Sequence, residues 1–498
     1  MNPIRQLISQ TAIYGLSSIL GRFLNYLLVP LYTYIFSAAE YGVVSEFYAY
    51  AGFFAVLLIL GLETGYFRFR QDPHYSSEKI YSNCLSFLAL LNLLFVGCVI
   101  LWQQPLAMLF RYPDHPEYLV WFACILAIDA ITAIPFAQLR AENLAWRFAG
   151  IRMSEIFITI GLNLFFLLLC PRLLNEWPNS SLNDFYDPDL GVGYIFLSNL
   201  IASLCKWLLL LPQFKAVPFN LIPGLLLPLF RYSLPMVIIG FAGMINEMLD
   251  RAILKIMLPY DLSTNLKMLG IYGACYKLSI LMSLFVQAFR YAGEPFFFSY
   301  AGRADAKRAY ALVMQYFVIA GVFIFLLVML YLDLFKYFIG DEFRAGLNVV
   351  PILLLANLFL GIYVNLSIWY KLSDRTGLGA WVSLAGAAVT ITLNILWIPE
   401  WGYEGSAWAT LACYCLMVCL SWALGQIYYP VKYPLGKIFA YLTFGLILYA
   451  ANGYLVKYLH WNTWFSGTLG LLTYLLIVAI FDVRPLFINR SSTSKQTN

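Results

Sequence analysis

Arg22 stands near the middle of the first long apolar run, Ile13 to Phe36, and Asn25 follows three positions on. That spacing puts both on one face of a helix. A guanidinium is always charged, and at membrane depth it costs roughly 2.5–3.5 kcal/mol on insertion scales unless it meets water or a partner. Its planar fork donates two parallel hydrogen bonds and so suits phosphate. The other reading is a structural ion pair that locks two helices. Pro30 lacks a backbone donor, which predicts a kink or loosened turn able to bring the charge toward an anionic group.

Further ionisable residues interrupt later apolar runs: Glu46, Asp129, Lys277 and Arg290, with Glu63 and Glu294 toward run ends. Asp129 has no cation near it in sequence, so it either pairs with Arg22 across helices or carries a proton. Arg290 and Glu294 are four apart, the spacing of a local salt bridge. Glu63 is placed where it can reach water. Arg22 and Asn25 are therefore substrate-binding candidates, and Glu46, Lys277, Asp129, Glu63, Glu294 and Arg290 are gate or coupling candidates. A proton or a sodium ion is what those carboxylates would take. No other cofactor is expected.

Enzyme chemistry is not expected. His74, His115 and His460 all fall in connections, and no His/Asp or Ser/His constellation lies in an apolar run. The nine cysteines show neither paired zinc-ligand spacing nor a disulfide framework, so no metal site is expected.

The elements that must position these residues follow from composition. Of 498 residues, 62% are hydrophobic and only 11% charged, against the roughly 25% of a soluble domain. Burial in lipid is the way to hide that much apolar surface, and a crossing helix needs about 20 apolar residues. Spans are predicted near 11–36, 43–62, 81–101, 118–138, 153–170 and 190–211. A second set falls near 228–248, 269–291, 311–332, 346–370, 380–398, 403–425, 438–456 and 463–481. The runs are continuous rather than alternating, which argues against a β-barrel. The first run is also too long for a signal-peptide core, so Ser37-Ala38-Ala39 is not read as a cleavage site.

Orientation is read from Lys and Arg. With the amino terminus inside, the inner connections and tails hold 20 of the 31, Lys206 among them, and the outer ones hold 8, including Arg251, Lys255 and Lys267. That bias predicts both termini in the cytoplasm. The formal charge of +5 follows the membrane and is no argument for nucleic acid.

The two halves echo each other. Tyr41-Gly42 and Tyr272-Gly273 open corresponding spans, and the same offset of 231 sets Glu46 on Lys277, Glu63 on Glu294 and Phe67 on Phe298. A parallel repeat of six spans is expected: residues 1–215 as one bundle, 216–430 as a second, 431–485 as two added helices and 486–498 as a disordered tail. Glu46 and Lys277 would then face each other as a gate pair, made in one state and broken in another.

With these residues in view, the chain resembles the multidrug/oligosaccharidyl-lipid/polysaccharide (MOP) flippase superfamily, and most of all its Wzx-like polysaccharide flippases. The likeness is carried by TAIYGLSSILGRFLNYLLVPLYTYIFSAAEYGVVSEFYAY, with Gly21-Arg22, Pro30 and Glu40-Tyr41-Gly42, and by FRYSLPMVIIGFAGMINEMLDRAILKIML and LGIYGACYKL, with Asp250-Arg251. It implies an all-α membrane protein of about fourteen helices, with two pseudo-symmetric six-helix bundles around a central cavity and two helices beyond them. It implies alternating access in the bacterial cytoplasmic membrane, and a cargo of undecaprenyl-diphosphate-linked oligosaccharide for polysaccharide or O-antigen (lipopolysaccharide) synthesis. Its partners would be that lipid-linked sugar, membrane lipids, glycosyltransferases and a polymerase. The alternatives within the superfamily are a lipid II flippase and an ion-coupled multidrug exporter. Lipid II flippases typically place several cations in the first two spans, whereas here Glu46 occupies the second. Drug exporters bind cations through acids, for which Asp129 is available.

Overall fold

The computed structural model describes residues 15, 19–71, 74–177, 184, 186–215 and 218–483, the side chains of 292, 294, 295 and 483 apart. The expected tail and the side chain of Glu294 therefore lie outside the described residues. Among those described, every regular element is a helix. Ten helices are long and apolar enough to cross a membrane, and a pair bent by 53° makes an eleventh. Two shorter apolar helices add to these, and one of the ten is two arms broken at Gly402, which gives fourteen apolar helical segments among the described residues.

In chain order these are α1 (Ile19–Ile35), α2 (Ala38–Phe69), α3 (Ser77–Leu101), α4 (Pro116–Ala141), α5 (Ala145–Glu176), α6 (Gly193–Leu209) and α7 (Pro223–Met257). There follow α8 (Leu262–Leu278 and Ile280–Tyr300), α9 (Ala306–Leu330), α10 (Asp341–Leu372), the arms α11 (376–401) and α12 (403–428), α13 (Leu435–Leu459) and α14 (Thr463–Asp482). The chain is an all-α polytopic membrane protein. Gly402 separates its two arms with φ 58° and ψ −141°, a backbone that glycine adopts at least cost.

Local chemistry explains the breaks. Helix α1 is interrupted at Leu27, one turn before Pro30, where the proline ring crowds the preceding turn. Ser37 begins α2 with a capping box: its side chain accepts from the Glu40 amide, and Glu40 accepts from the Ser37 amide at 2.8 Å. The Ser37-Ala38-Ala39 triplet is thus a helix start, worth about 1 kcal/mol as a cap.

The offset of 231 is met at one helix start. Helices α3 and α9 are each 25 residues long, and α5 begins at Ala145 where α11 begins at Thr376, a separation of 231. The packing follows a different division. One compact unit is Met1–Gly273 with Thr390–Tyr403, and the other is Ala274–Val389 with Glu404–Asn498. In unit 1, α3 packs on α4, α5 on α6, and α7 on α2. In unit 2, α9 is central and meets α10, α13 and α14. Buried Asp482, at the end of α14, accepts from Lys437 at 2.8 Å, from Gln315 on α9 and from Tyr441 on α13. That carboxylate fastens the two added helices to α9.

Within unit 1, α2 and the first arm of α8 meet backbone to backbone. A Cβ built on Gly42 would sit 2.0 Å from the Leu266 carbonyl oxygen, and one on Gly270 would sit 1.8 Å from that of Ala38. Small residues permit this approach, which replaces a side-chain interface by direct contact of two helix surfaces. Gly270→Val is expected to separate the helices at a cost above the ~1–3 kcal/mol of ordinary overpacking. Gly243→Ala, where no atom lies within 4 Å of the added carbon, is the control. Thermal unfolding of the two purified variants checks this; equal melting points would contradict the contact.

Candidate functional site

Helix α1 is seated on α5 by its small face. A Cβ on Gly21 would meet Ile156 Cδ1 at 2.6 Å, and Tyr32 donates from its hydroxyl to Asn163 Oδ1 at 3.0 Å. The neighbouring face carries Arg22 and Asn25, and both are exposed. Arg22 has no ion-pair partner among the described residues. The fork thus retains its donors, whereas a structural ion pair would have consumed them.

The expected partnership of Asp129 with Arg22 is corrected by a lysine that the chain pattern placed in a connection. Lys206 belongs to α6 and is 1% exposed, with its ammonium between Asp129 and Glu155, at 2.6 Å from the latter. Arg152 binds the other oxygen of Glu155 at 3.3 Å, and Ser203 donates to Asp129 at 3.2 Å. Two cations thus balance two carboxylates across α4, α5 and α6. The cost of burying that ammonium is offset only because both acids face it. Asp129 remains 49% exposed on its far side. The polar stripe Asn199, Ser203, Lys206 along α6 was the sequence signal for this set, at spacings of four and three.

A second set closes the junction of α2, α7 and α8. Glu46, 0% exposed, binds Lys255 at 2.7 Å and accepts from Tyr50 at 2.6 Å and from Tyr112. Lys255 also donates to the Phe110 carbonyl at 2.7 Å and lies 4.3 Å from the centre of the Tyr112 ring. Asn265, on the first arm of α8, donates to the Lys255 carbonyl at 3.0 Å. One turn earlier, Asp250 accepts from Tyr272 at 2.5 Å and pairs with Arg251 at 3.3 Å. The gate pair is therefore corrected. In this structure the cation facing Glu46 is Lys255, and Lys277 lies beyond the end of unit 1 in the second unit. Arg251 and Lys255, expected in a connection, are buried because α7 extends to Met257. Lys267 lies within the first arm of α8 but stays exposed.

Glu63 pairs with Arg140 of α4, both about one-third exposed, and Arg140 also covers the Phe67 ring at 5.0 Å. It reaches a cation as well as water. Arg290 is exposed and lines a cavity in unit 2. Among the described residues, no group of His, Cys, Asp and Glu is arranged to hold a metal ion.

No protein-family profile matches the sequence, and no curated protein matches it. Solved structures do. The lipid II flippase MurJ in an inward closed conformation has a TM-score of 0.68 at 15% identity, covering 95% of this chain and 99% of its own. An inward-facing multidrug resistance MATE transporter of the MOP superfamily gives 0.62 at 12% identity, covering 87% and 96%. The MATE multidrug transporter DinF-BH gives 0.61 at 15%, covering 86% and 97%. The chain thus has the fold of MOP-superfamily transporters, spanned almost end to end.

Two outcomes follow from the charged sets. Lys206→Met leaves two carboxylates with one cation and is expected to destabilise the protein by on the order of 3 kcal/mol, with Asp129→Asn in the same chain recovering most of it. Thermal unfolding of the double-mutant cycle measures this, and strict additivity would refute the shared ammonium. Glu46→Gln leaves Lys255 buried without an acid and is expected to open the junction. Ser45→Cys, which faces Gly273, should then react several-fold faster with a membrane-impermeant maleimide; an unchanged rate would refute the lock.

Proposed function

We propose that the protein is a flippase that moves an undecaprenyl-diphosphate-linked oligosaccharide from the inner to the outer leaflet of the bacterial cytoplasmic membrane by alternating access, for polysaccharide or O-antigen assembly. One observation carries the reading. Arg22 is exposed beside Asn25 with no acid against it, while Asp129 and Glu46 in the same unit each face a lysine. Unit 1 therefore offers an uncommitted cation to an anionic cargo, while Asp129 and Glu46 are each already neutralised toward a cationic drug. The guanidinium fork matches a diphosphate by charge and by paired donors.

Orientation supports the same direction of transport. Moving Lys206 out of the inner set, and Arg251 and Lys255 out of the outer one, leaves 19 against 6. With both termini inside, the Glu46–Lys255 junction lies at the outer side, where it acts as a closed gate while cargo loads from within. Among the acids of the two charged sets, Asp129 is the one a coupling proton or sodium ion can reach, because that carboxylate is half exposed. Glycosyltransferases supply the cargo and a polymerase consumes it.

Arg22→Ala is expected to reduce surface polysaccharide more than tenfold at unchanged membrane abundance, and Arg22→Lys to retain part of it, since charge survives and the fork does not. Quantifying surface glycan against protein in the membrane fraction decides it; normal export by Arg22→Ala would remove the assignment. Rescue of cells depleted of their lipid II flippase would move the cargo to lipid II, and altered drug accumulation would move it to small amphiphiles.

A further inference from the structure

Unit 2 contains a cavity of about 250 Å3 between the second arm of α8 and the end of α10. Its polar side is Arg290, Tyr363, Ser367, Tyr370 and Lys371, and Phe289 stands on its apolar side. The positions on α10 follow helical spacing: 363, 367, 370 and 371 fall on one face, so the hydroxyls and the ammonium point the same way. Tyr363 and Ser367 are buried, whereas Arg290 is exposed and has no ion-pair partner among the described residues. Ser367 donates to the Val364 carbonyl at 2.7 Å and Tyr363 bonds Ser383 at 3.3 Å. The groups that turn a fork, a point charge and a phenol toward this small space are therefore Arg290, Lys371 and Tyr370, a combination that suits an anion. The volume is below the ~300–1,000 Å3 of pockets for drug-sized ligands, so it holds a headgroup rather than an oligosaccharide.

We propose that this cavity binds the phosphate of an amphiphile, with Arg290 and Lys371 as its charged ligands, Tyr370 as a hydroxyl donor and Phe289 against the first carbons of the chain. Two lipids share that chemistry, a polyprenyl diphosphate and an anionic phospholipid. The site stands apart from Arg22 in unit 1 and does not depend on the cargo proposed there. The helical pairing of Arg290 with Glu294 is not needed for it, because Arg290 serves the cavity from its own face of α8.

The test uses the purified full-length protein and two probes, farnesyl diphosphate in detergent and phosphatidylglycerol in nanodiscs, with binding read by native mass spectrometry. Farnesol, which lacks phosphate, should not bind. Arg290→Ala is expected to weaken binding about tenfold or more, Lys371→Ala by several-fold, and Arg290→Lys by an intermediate factor. Should Arg290→Ala fail to fold, Lys371→Ala and Tyr370→Phe carry the comparison. Dependence on Arg290 with farnesyl diphosphate identifies a polyprenyl diphosphate site, and with phosphatidylglycerol alone a phospholipid headgroup site. Either upholds the proposal. If neither probe binds, or if these variants bind as the wild type does, the site is overturned. Arg22→Ala should leave this binding unchanged, which separates its failure from failure of the flippase reading.

Discussion

A charge withdrawn from water inside a bilayer persists only within a closed set of opposite charges and hydrogen bonds, and unit 1 is organised around two such sets. Glu46 accepts from Lys255, Tyr50 and Tyr112, and Lys255 also donates to the Phe110 carbonyl. Lys206 is equally enclosed by Asp129 and Glu155, with Arg152 making the balance neutral. Because these sets are satisfied internally, neither imposes a net charge on the interior. Arg22 is the departure from that rule, and its exposed fork gains meaning from the neutrality around it.

The Glu46 set also has the energetics that a moving junction requires. Closing it strips water from two ions and returns Coulomb attraction and hydrogen bonds; opening it restores hydration and loses them. These terms oppose each other, so the net preference is smaller than either alone. The backbone contact through Gly42 and Gly270 adds shape without adding adhesion of that magnitude.

Unit 2 uses its buried charges differently. Asp482 is surrounded by Lys437 and Tyr441 on α13 and Gln315 on α9, and no comparable set joins it to a second state among the described residues. Its role is to fix α13 and α14 on α9. Arg290, an exposed cation of this unit, lies at a cavity whose other wall is α10.

The helices were legible because the hydrocarbon thickness demands about 20 apolar residues wherever the chain crosses, a constraint local in sequence. The break at Leu27 before Pro30 was legible for the same reason, since proline geometry acts within one turn, whereas the helix start at Ser37, ahead of the span predicted from 43, was not. Arg22 and Asn25 stood out from spacing alone. The partners of the acids did not. Lys206 and Lys255 close apolar runs, where a lysine reads as a flank in water, yet α6 and α7 carry them into the interior. Asp129 meets a cation 77 residues away and Glu46 one more than 200 residues away, pairings on which spacing within one helix has no bearing. Which charge meets which was settled by how the helices pack, because a long-range ion pair is chosen by the space that the fold encloses and not by the order of residues.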